Sequence, residues 1–309
     1  MRYSVLLLLL FCSAPAAGQG PWSFRNALEA RRTGTFADRR LDESSGVAVS
    51  RRNPGVLWTH NDGPRPVLYA TDTLGTAIGA VRIRAAVDDW EDVAPGPCGK
   101  ETCLYLADTG DNRERRGWVK LLRIREPTLA DARRGSNLAA EGVRVRYPDG
   151  AHDVEAMWVD PNGDTQLVTK GRSGEARQFR VPAAAWRTGK AVAERMGALP
   201  IDVSRRLDGY ITGAGLSPDG RLVALRTYRF VYVFERGARG ELQLPAKPVA
   251  CSLGGIDVQG EGVAWLDGER LVLTSERAVR PNGTVSVVRC PLPRPAAEAR
   301  SASGNPTVQ

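Results

Sequence analysis

The sequence predicts an all-β protein folded as a single five-bladed β-propeller. Three observations carry that prediction: strand-and-turn punctuation along the whole chain, a polar motif that recurs five times, and a last unit one strand short. Short apolar alternations (Val56 to Trp58, Val67 to Tyr69, Leu121 to Ile124, Leu222 to Leu225, Val231 to Phe234, Leu271 to Leu273) are separated by Asn-Pro-Gly, Asn-Gly and Pro-Asp-Gly turns. That is the pattern of many short strands. Only Asn26 to Arg32 and Ala183 to Arg187 read as helical. Punctuation alone leaves sandwich, barrel and propeller open, and the repeat decides between them.

The chain opens with Met1-Arg2-Tyr3-Ser4, an apolar run from Val5 to Phe11, and small residues from Ser13 to Gly18. This is the layout of a secretory signal peptide over residues 1–18, cleaved near Ala16 to Gly18. Its apolar run is too short to span a bilayer. The protein is therefore expected to be exported, to the periplasm or the extracellular space, with no membrane span. Residues 19–290 are expected to form the propeller, and residues 291–309, rich in Ala, Ser and Pro, a disordered tail.

Within the propeller region five segments share one pattern: a polar residue, a spacer, Glu, Ser or Thr, a small residue or Asp, then an apolar strand. They begin at Glu43, Asp89, Asp153, Tyr210 and Gln259. Their third positions (Ser45, Glu91, Glu155, Thr212, Glu261) lie 46, 64, 57 and 49 residues apart, and a polar residue ending the next strand (Asp62, Asp108, Lys170, Arg226, Glu276) follows each by 17, 17, 15, 14 and 15. Variable loops around a near-constant internal distance are what a repeated hairpin produces. Units of this length with about four strands each are propeller blades. The last unit supplies only Gly262 to Leu266, Arg270 to Ser275 and Thr284 to Arg289, so the segment around Arg32 to Phe36 is expected to complete it and close the ring. A six-bladed ring would need a degenerate blade inside the two long units.

Composition bounds the function. Across 309 residues, 42% hydrophobic content excludes wholesale disorder, and Gly 33 with Pro 20 is turn-rich without being collagenous. The net charge is +8, but Arg is spread evenly and no run of five basic residues occurs, which argues against a nucleic-acid partner. Four cysteines follow the signal segment: Cys98, Cys103, Cys251 and Cys290. An even number in an exported chain reads as two disulfides, and the absence of CxxC spacing argues against a metal site. Cys98 and Cys103 share one Pro/Gly-rich loop, so the expected bridges are Cys98–Cys103 and Cys251–Cys290.

Hairpin geometry brings the repeated polar positions to one mouth of the central channel. There they amount to nine carboxylates against two cations, in a chain of net positive charge. Such a concentration requires a bound cation or retained protons, and oxygen ligands favour Ca²⁺. The only two histidines, His60 and His152, flank the same mouth and are candidates for acid–base work. Mutual ion pairing is the alternative, with Glu155–Lys170 and Glu276 with Arg226 or Arg277 as partners and Glu91 and Glu261 capping main-chain amides. Ala107 to Asn112 resembles a Ca²⁺ loop but lacks EF-hand spacing. No GxSxG elbow, Walker loop or dinucleotide fingerprint is present.

Glu43-Ser44-Ser45-Gly46-Val47, Asp89-Trp90-Glu91-Asp92, Leu106 to Asn112, His152-Asp153-Val154-Glu155-Ala156 and Arg226-Thr227-Tyr228 together resemble a group of exported bacterial β-propeller proteins. More distantly they look like phytase-like and esterase-like propellers, whose blades also begin with Asp-x-Glu before an apolar strand. The resemblance runs from about Leu41 to Arg277. β-Propeller phytases bind several Ca²⁺ ions and hydrolyse phosphate esters, so the resemblance implies Asp89, Glu91, Asp153, Glu155 and Glu261 as metal ligands, with Lys170 and Arg226 facing phosphate. The chain departs from phytases in blade number and in lacking their Asp-Asp-Pro-Ala openings.

The resulting expectation is a monomeric Ca²⁺-dependent hydrolase of small anionic esters, phosphate esters foremost. His60, His152 and Glu155 are the catalytic candidates, and Lys170, Arg226 and Arg277 hold the anion. Glu43, Asp62, Asp89, Glu91, Asp108, Asp153, Glu155 and Glu261 form the metal-ligand pool. The rival expectation is a noncatalytic propeller that binds a protein or envelope glycan; a lectin version would use Trp58, Trp90, Trp158 and Trp265.

Overall fold

The computed structural model describes residues 20–204, 209–257, 259–277 and 282–293; the signal segment and most of the expected tail lie outside them. Two strands precede the first blade, β1 (Ser23–Asn26) and β2 (Glu29–Thr35). Blade 1 is β3 (Ser44–Val49), β4 (Leu57–Asn61), β5 (Val67–Thr71) and β6 (Gly79–Arg84). Blade 2 is β7 (Asp92–Cys98), β8 (Glu101–Asp108), β9 (Val119–Arg125) and, after helix α1 (Leu129–Arg134) and the short β10 (Asn137–Ala139), β11 (Glu141–Arg146). Blade 3 is β12 (Val154–Val159), β13 (Thr165–Thr169), β14 (Arg177–Val181) and, after α2 (Ala185–Thr188) and β15 (Lys190–Val192), β16 (Glu194–Ala198). Blade 4 is β17 (Ile211–Leu216), β18 (Leu222–Thr227), β19 (Phe230–Arg236), β20 (Leu242–Gln243) and β21 (Val249–Ser252). Blade 5 is β22 (Gly260–Trp265), β23 (Arg270–Ser275) and β24 (Thr284–Arg289).

These strands form five sheets, led on the inside by β3, β7, β12, β17 and β22. Each innermost strand packs on the innermost strand of the next blade, and β22 returns to β3, so the ring closes at five. The core is divided in the same way. Five apolar clusters each lie between two neighbouring blades, such as Leu106 with Trp90 and Trp58 between blades 1 and 2. Trp58, Trp90, Trp158 and Trp265 belong to these clusters and are at most 4% exposed, which removes them as a sugar-binding surface.

The outer edges of four blades are covered by strands borrowed from elsewhere in the chain, while blade 3 ends on its own β16. β10 pairs in parallel with β6, and β15 pairs in parallel with β11, so the link between the third and fourth strands of blades 2 and 3 seals the edge of the preceding blade. The N-terminus does this twice: β1 runs parallel to β21 of blade 4, and β2 runs antiparallel to β24 of blade 5. The borrowed strand becomes the outermost one, and at 3 to 7 residues it leaves only a short row of unpaired amides. The stretch Asn26 to Arg32 that reads as helical therefore forms the end of β1, a two-residue link and the start of β2. Its helix-favouring Ala, Leu, Glu and Arg are overridden by two waiting sheet edges, a tertiary effect that outweighs propensities of a few tenths of a kcal/mol each (roughly).

Both disulfides form, Cys98–Cys103 and Cys251–Cys290. The first staples the β7–β8 turn. The second joins β21 to the residue after β24, across the same two blades that the N-terminus fastens. Among the described residues no helix is long and apolar enough to cross a membrane.

Candidate metal centre

In four of the five blades the repeated motif marks a β-bulge where the inner strand starts; in blade 2 the β7–β8 ladder is regular and Glu91 immediately precedes it. The ladder shifts register between Ser44 and Val47, between Val154 and Ala156, between Ile211 and Gly213, and between Gly260 and Val263. The displaced residues are Ser45, Glu155, Thr212 and Glu261, the third positions of the motif. A bulge re-aims a side chain out of the strand's alternation, which is how polar residues at the start of buried strands come to face the mouth. Where the residue is a hydroxyl, it latches the neighbouring blade: Ser45 Oγ donates to Glu91 O at 2.8 Å and Thr212 Oγ1 to Gly260 O at 3.0 Å. The strand-end partners sit beside them, because the amides of Asp62, Lys170 and Glu276 donate to the carbonyls of Glu43, Asp153 and Gln259.

Five of the eight candidate metal ligands come together, in two triads that share Glu91. Asp62, Asp89 and Glu91 each present a carboxylate oxygen within 4.8 Å of the others, and so do Glu91, Asp153 and Glu155. The second triad carries its own counter-charges. Lys170 Nζ donates to Glu155 Oε1 at 2.6 Å, and Arg172 Nε donates to Asp153, which also accepts from the Asp111 amide at 2.8 Å. Burial works against the charge on Lys170, yet Glu155 opposite holds it above the ordinary lysine value.

The first triad has no such partners. Among the described residues no basic side chain pairs with Asp62, Asp89 or Glu91, no donor reaches the Glu91 carboxylate, and the buried Asp62 Oδ1 has no hydrogen-bond partner. Burial pushes Asp89 up to about 7, and the adjoining Asp62 carboxyl pushes the same way. Burial first, and then Glu155, Asp62 and Asp89, hold Glu91 well above the carboxylate range. Glu155 is raised by burial to about 7 against the pull of Lys170. Farther round the mouth, Glu261 keeps a buried, unpartnered Oε2 and is raised well above its usual range by burial and Glu155. Glu276 is raised to about 7 by burial and Asp62. Contrary to the ion-pair alternative, among the described residues Glu261 caps no main-chain amide and Glu276 pairs with neither Arg226 nor Arg277; Glu276 accepts from Gln259 Nε2 at 2.9 Å.

Several expected site residues are elsewhere or otherwise engaged. Asp108 is fully buried and binds the amides of Asp88 and Asp89 at 3.2 and 2.9 Å, with Arg116 and Lys120 at 3.1 and 3.3 Å. It positions the Asp89 loop. Glu43 is exposed and outside both triads. Arg226 does not reach the mouth: it is 0% exposed and donates to Gly262 O and Thr274 O, both at 2.7 Å, and to Asp257 Oδ2 at 2.8 Å. That fixes blade 4 to blade 5 and leaves no group for an anion. Arg277 is exposed beside Asp42, at 3.8 Å. His60 is 0% exposed and stacks on Trp90 at 4.5 Å; burial lowers it to about 4, so its imidazole is neutral at pH 7. His152 is packed against Tyr147 and Phe179, with Nε2 held by Asp149 at 2.8 Å. Neither histidine is presented as an acid or base at the mouth.

Three features were missed from sequence. Asp92, fully buried, accepts from the amides of Val93 and Met157 at 2.8 Å and Ala214 at 3.3 Å, tying three inner strands together near the axis. Its signal was present: the equivalent slot holds Gly46, Ala156, Gly213 and Gly262 in the other units. A Cβ on Gly46 would lie 2.7 Å from Asp92 Oδ1, so small neighbours make room for one carboxylate. Asp257, the counter-charge of Arg226, lies outside the repeat and carries no such signal. Beside Asp89 a cavity of about 490 Å³ opens, its rim carrying Asp111, Arg113 and Arg115.

No protein-family model matches the chain, and no curated protein matches it. Among solved structures it is similar to the Cps50 (Swd1) β-propeller domain of Myceliophteria thermophila, with a TM-score of 0.40 and 14% identity over 86% of this chain and 99% of that one. It is similar also to XC5397 of Xanthomonas campestris, a gluconolactonase, with a TM-score of 0.40 and 12% identity over the same shares of the two chains. Likeness of this degree carries no information on chemistry.

Proposed function

We propose that the protein is a Ca²⁺-binding propeller that hydrolyses small anionic esters, phosphate esters foremost, at the acidic end of its channel. The observation that carries this reading is the unneutralised triad Asp62, Asp89 and Glu91, set against Asp153 and Glu155 beside it, which Arg172 and Lys170 neutralise. Two carboxylates close enough to share a proton, next to a third without a donor, are stable only with a cation or with retained protons. The donor set is all oxygen, without a histidine or cysteine in either triad, which suits Ca²⁺ over zinc or copper. Asp62, Asp89 and Glu91 would hold the ion. Bound there, Ca²⁺ would supply charge to polarise an ester oxygen and acidify a water.

The chain's own residues supply the rest. The cavity beside Asp89 admits a small substrate. Arg113 and Arg115, whose side chains make no hydrogen bond or ion pair among the described residues, replace Arg226 as the groups for the anion's oxygens. Lys170 holds Glu155, and Asp108 fixes the Asp89 loop through two amides. The Asp92 carboxylate, bound to three inner strands, sits at the inner end of the mouth.

Elemental analysis of the purified protein, with melting curves in Ca²⁺ and in chelator, tests the ion. A screen of phosphomonoesters, phosphodiesters and carboxyl esters tests the chemistry. The expected results are stoichiometric Ca²⁺, a fall in melting temperature on chelation, and turnover lost in Glu91→Gln. The burial of both histidines favours a second reading, in which Ca²⁺ is structural and the propeller binds an envelope protein or glycan. Ca²⁺ loading without turnover on any ester class would decide for it.

A further inference from the structure

The far end of the channel has the opposite character. Beyond Asp92 the five inner strands diverge into a pit of about 130 Å³, walled by residues of every blade, among them Val49, Pro95, Val159, Leu216 and Leu266. Its lining is apolar apart from Ser50 and one cation, Arg51. Ser50 is already committed, donating to Glu126, which also accepts from Trp58 Nε1 at 3.3 Å. Among the described residues Arg51 makes no side-chain hydrogen bond or ion pair; Glu126 acts on it only from beyond pairing distance. The pit therefore combines an apolar floor with a guanidinium that nothing in the fold occupies.

We propose that this pit is a second ligand site, for a small apolar carboxylate whose ring or branched chain enters the pit while its carboxylate pairs with Arg51. Size sets the apolar part: a cavity of about 150 Å³ takes a benzene ring, and this one is slightly smaller and open at the rim. Charge sets the polar part. A single planar guanidinium matches a carboxylate in two parallel hydrogen bonds, whereas a phosphate dianion would need further donors that the apolar wall lacks. The site is independent of the acidic mouth, from which the Asp92 carboxylate and its three amide bonds separate it.

Calorimetric titration of the full chain tests the assignment, with benzoate as the probe and benzyl alcohol and inorganic phosphate as controls. Benzoate is expected to bind with a Kd of about 1 mM or tighter, benzyl alcohol about tenfold more weakly, and phosphate at the pit not at all. Arg51→Gln is expected to weaken benzoate about tenfold, leaving benzyl alcohol affinity and melting temperature unchanged. Leu216→Trp, which fills the pit, is expected to abolish both. Chelator is expected to change none of these values, which keeps the result separate from the metal reading. Equal affinity for benzoate and benzyl alcohol, benzoate binding indifferent to Arg51→Gln, or no benzoate binding at about 10 mM would each overturn the proposal.

Discussion

Arg226 shows what a buried charge does in this ring. Its guanidinium and the Asp257 carboxylate are 0% and 1% exposed, 2.8 Å apart, and each has further partners: two carbonyls for the arginine, and the hydroxyls of Thr284 and Ser286 for the aspartate. Removing one member strands the other without water. Arg226→Met is therefore expected to cost about 3–5 kcal/mol, and the double variant Arg226→Met with Asp257→Leu to regain most of it. Denaturant midpoints measure both. A loss of anion affinity in the single variant at unchanged stability would instead return Arg226 to a substrate role. The sequence could not show this pairing. Arg226 ends a second strand as Lys170 does, and only the loop between β21 and β22, in the next blade, decides that one cation meets a buried aspartate and the other a mouth glutamate.

At the scale of elements, the fold was legible because the polar positions obey hairpin geometry. A near-constant distance from bulge residue to strand end survives loops of any length. The same regularity made Asp89, Glu91, Asp153 and Glu155 recognisable as a group. What escaped was whatever depends on packing between elements: Asn26 to Arg32 looks helical until β21 and β24 offer it edges, and the histidines look available until Trp90, Tyr147 and Phe179 cover them. The ring's closure is fastened at the same place three times, by β1 on β21, by β2 on β24, and by Cys251–Cys290 across a separation of 39 residues. Chain entropy then ranks the two bridges. Losing Cys251–Cys290 is expected to cost about 4 kcal/mol, and losing Cys98–Cys103, with its separation of 5, about 2 kcal/mol. Paired Cys→Ser variants compared by denaturation give the order, and a larger loss from the shorter bridge would mean that strain outweighs closure at this joint.

For the whole molecule the decisive quantity is the proton uptake of the acidic mouth. Asp89, Glu155 and Glu276 lie near 7, and Glu91 and Glu261 are held well above their ordinary range, burial being the first cause for all five. Between about pH 4.5 and 7 the metal-free native state thus holds protons that the unfolded chain has released, and stability falls as pH rises through that window. The opposite class, Asp38, Asp88 and Asp131, is held low by bonds from Arg40, Lys120 and Thr128, and its contribution is lost only below about pH 4. The chelated protein should therefore be most stable in mild acid, with a melting temperature at pH 5 several degrees above that at pH 8, about 5 °C for a change of about 2 kcal/mol. Ca²⁺ supplies the missing positive charge only where the carboxylates are ionised, so its stabilisation should be large at pH 8 and small at pH 5, bringing the two curves together. Melting curves at both pH values, with chelator and with Ca²⁺, measure the four corners. A chelated protein whose stability is flat or rises from pH 5 to pH 8 would mean that Lys170 and Arg172 already neutralise the whole mouth, and the case for a cation at Asp62, Asp89 and Glu91 would fall with it.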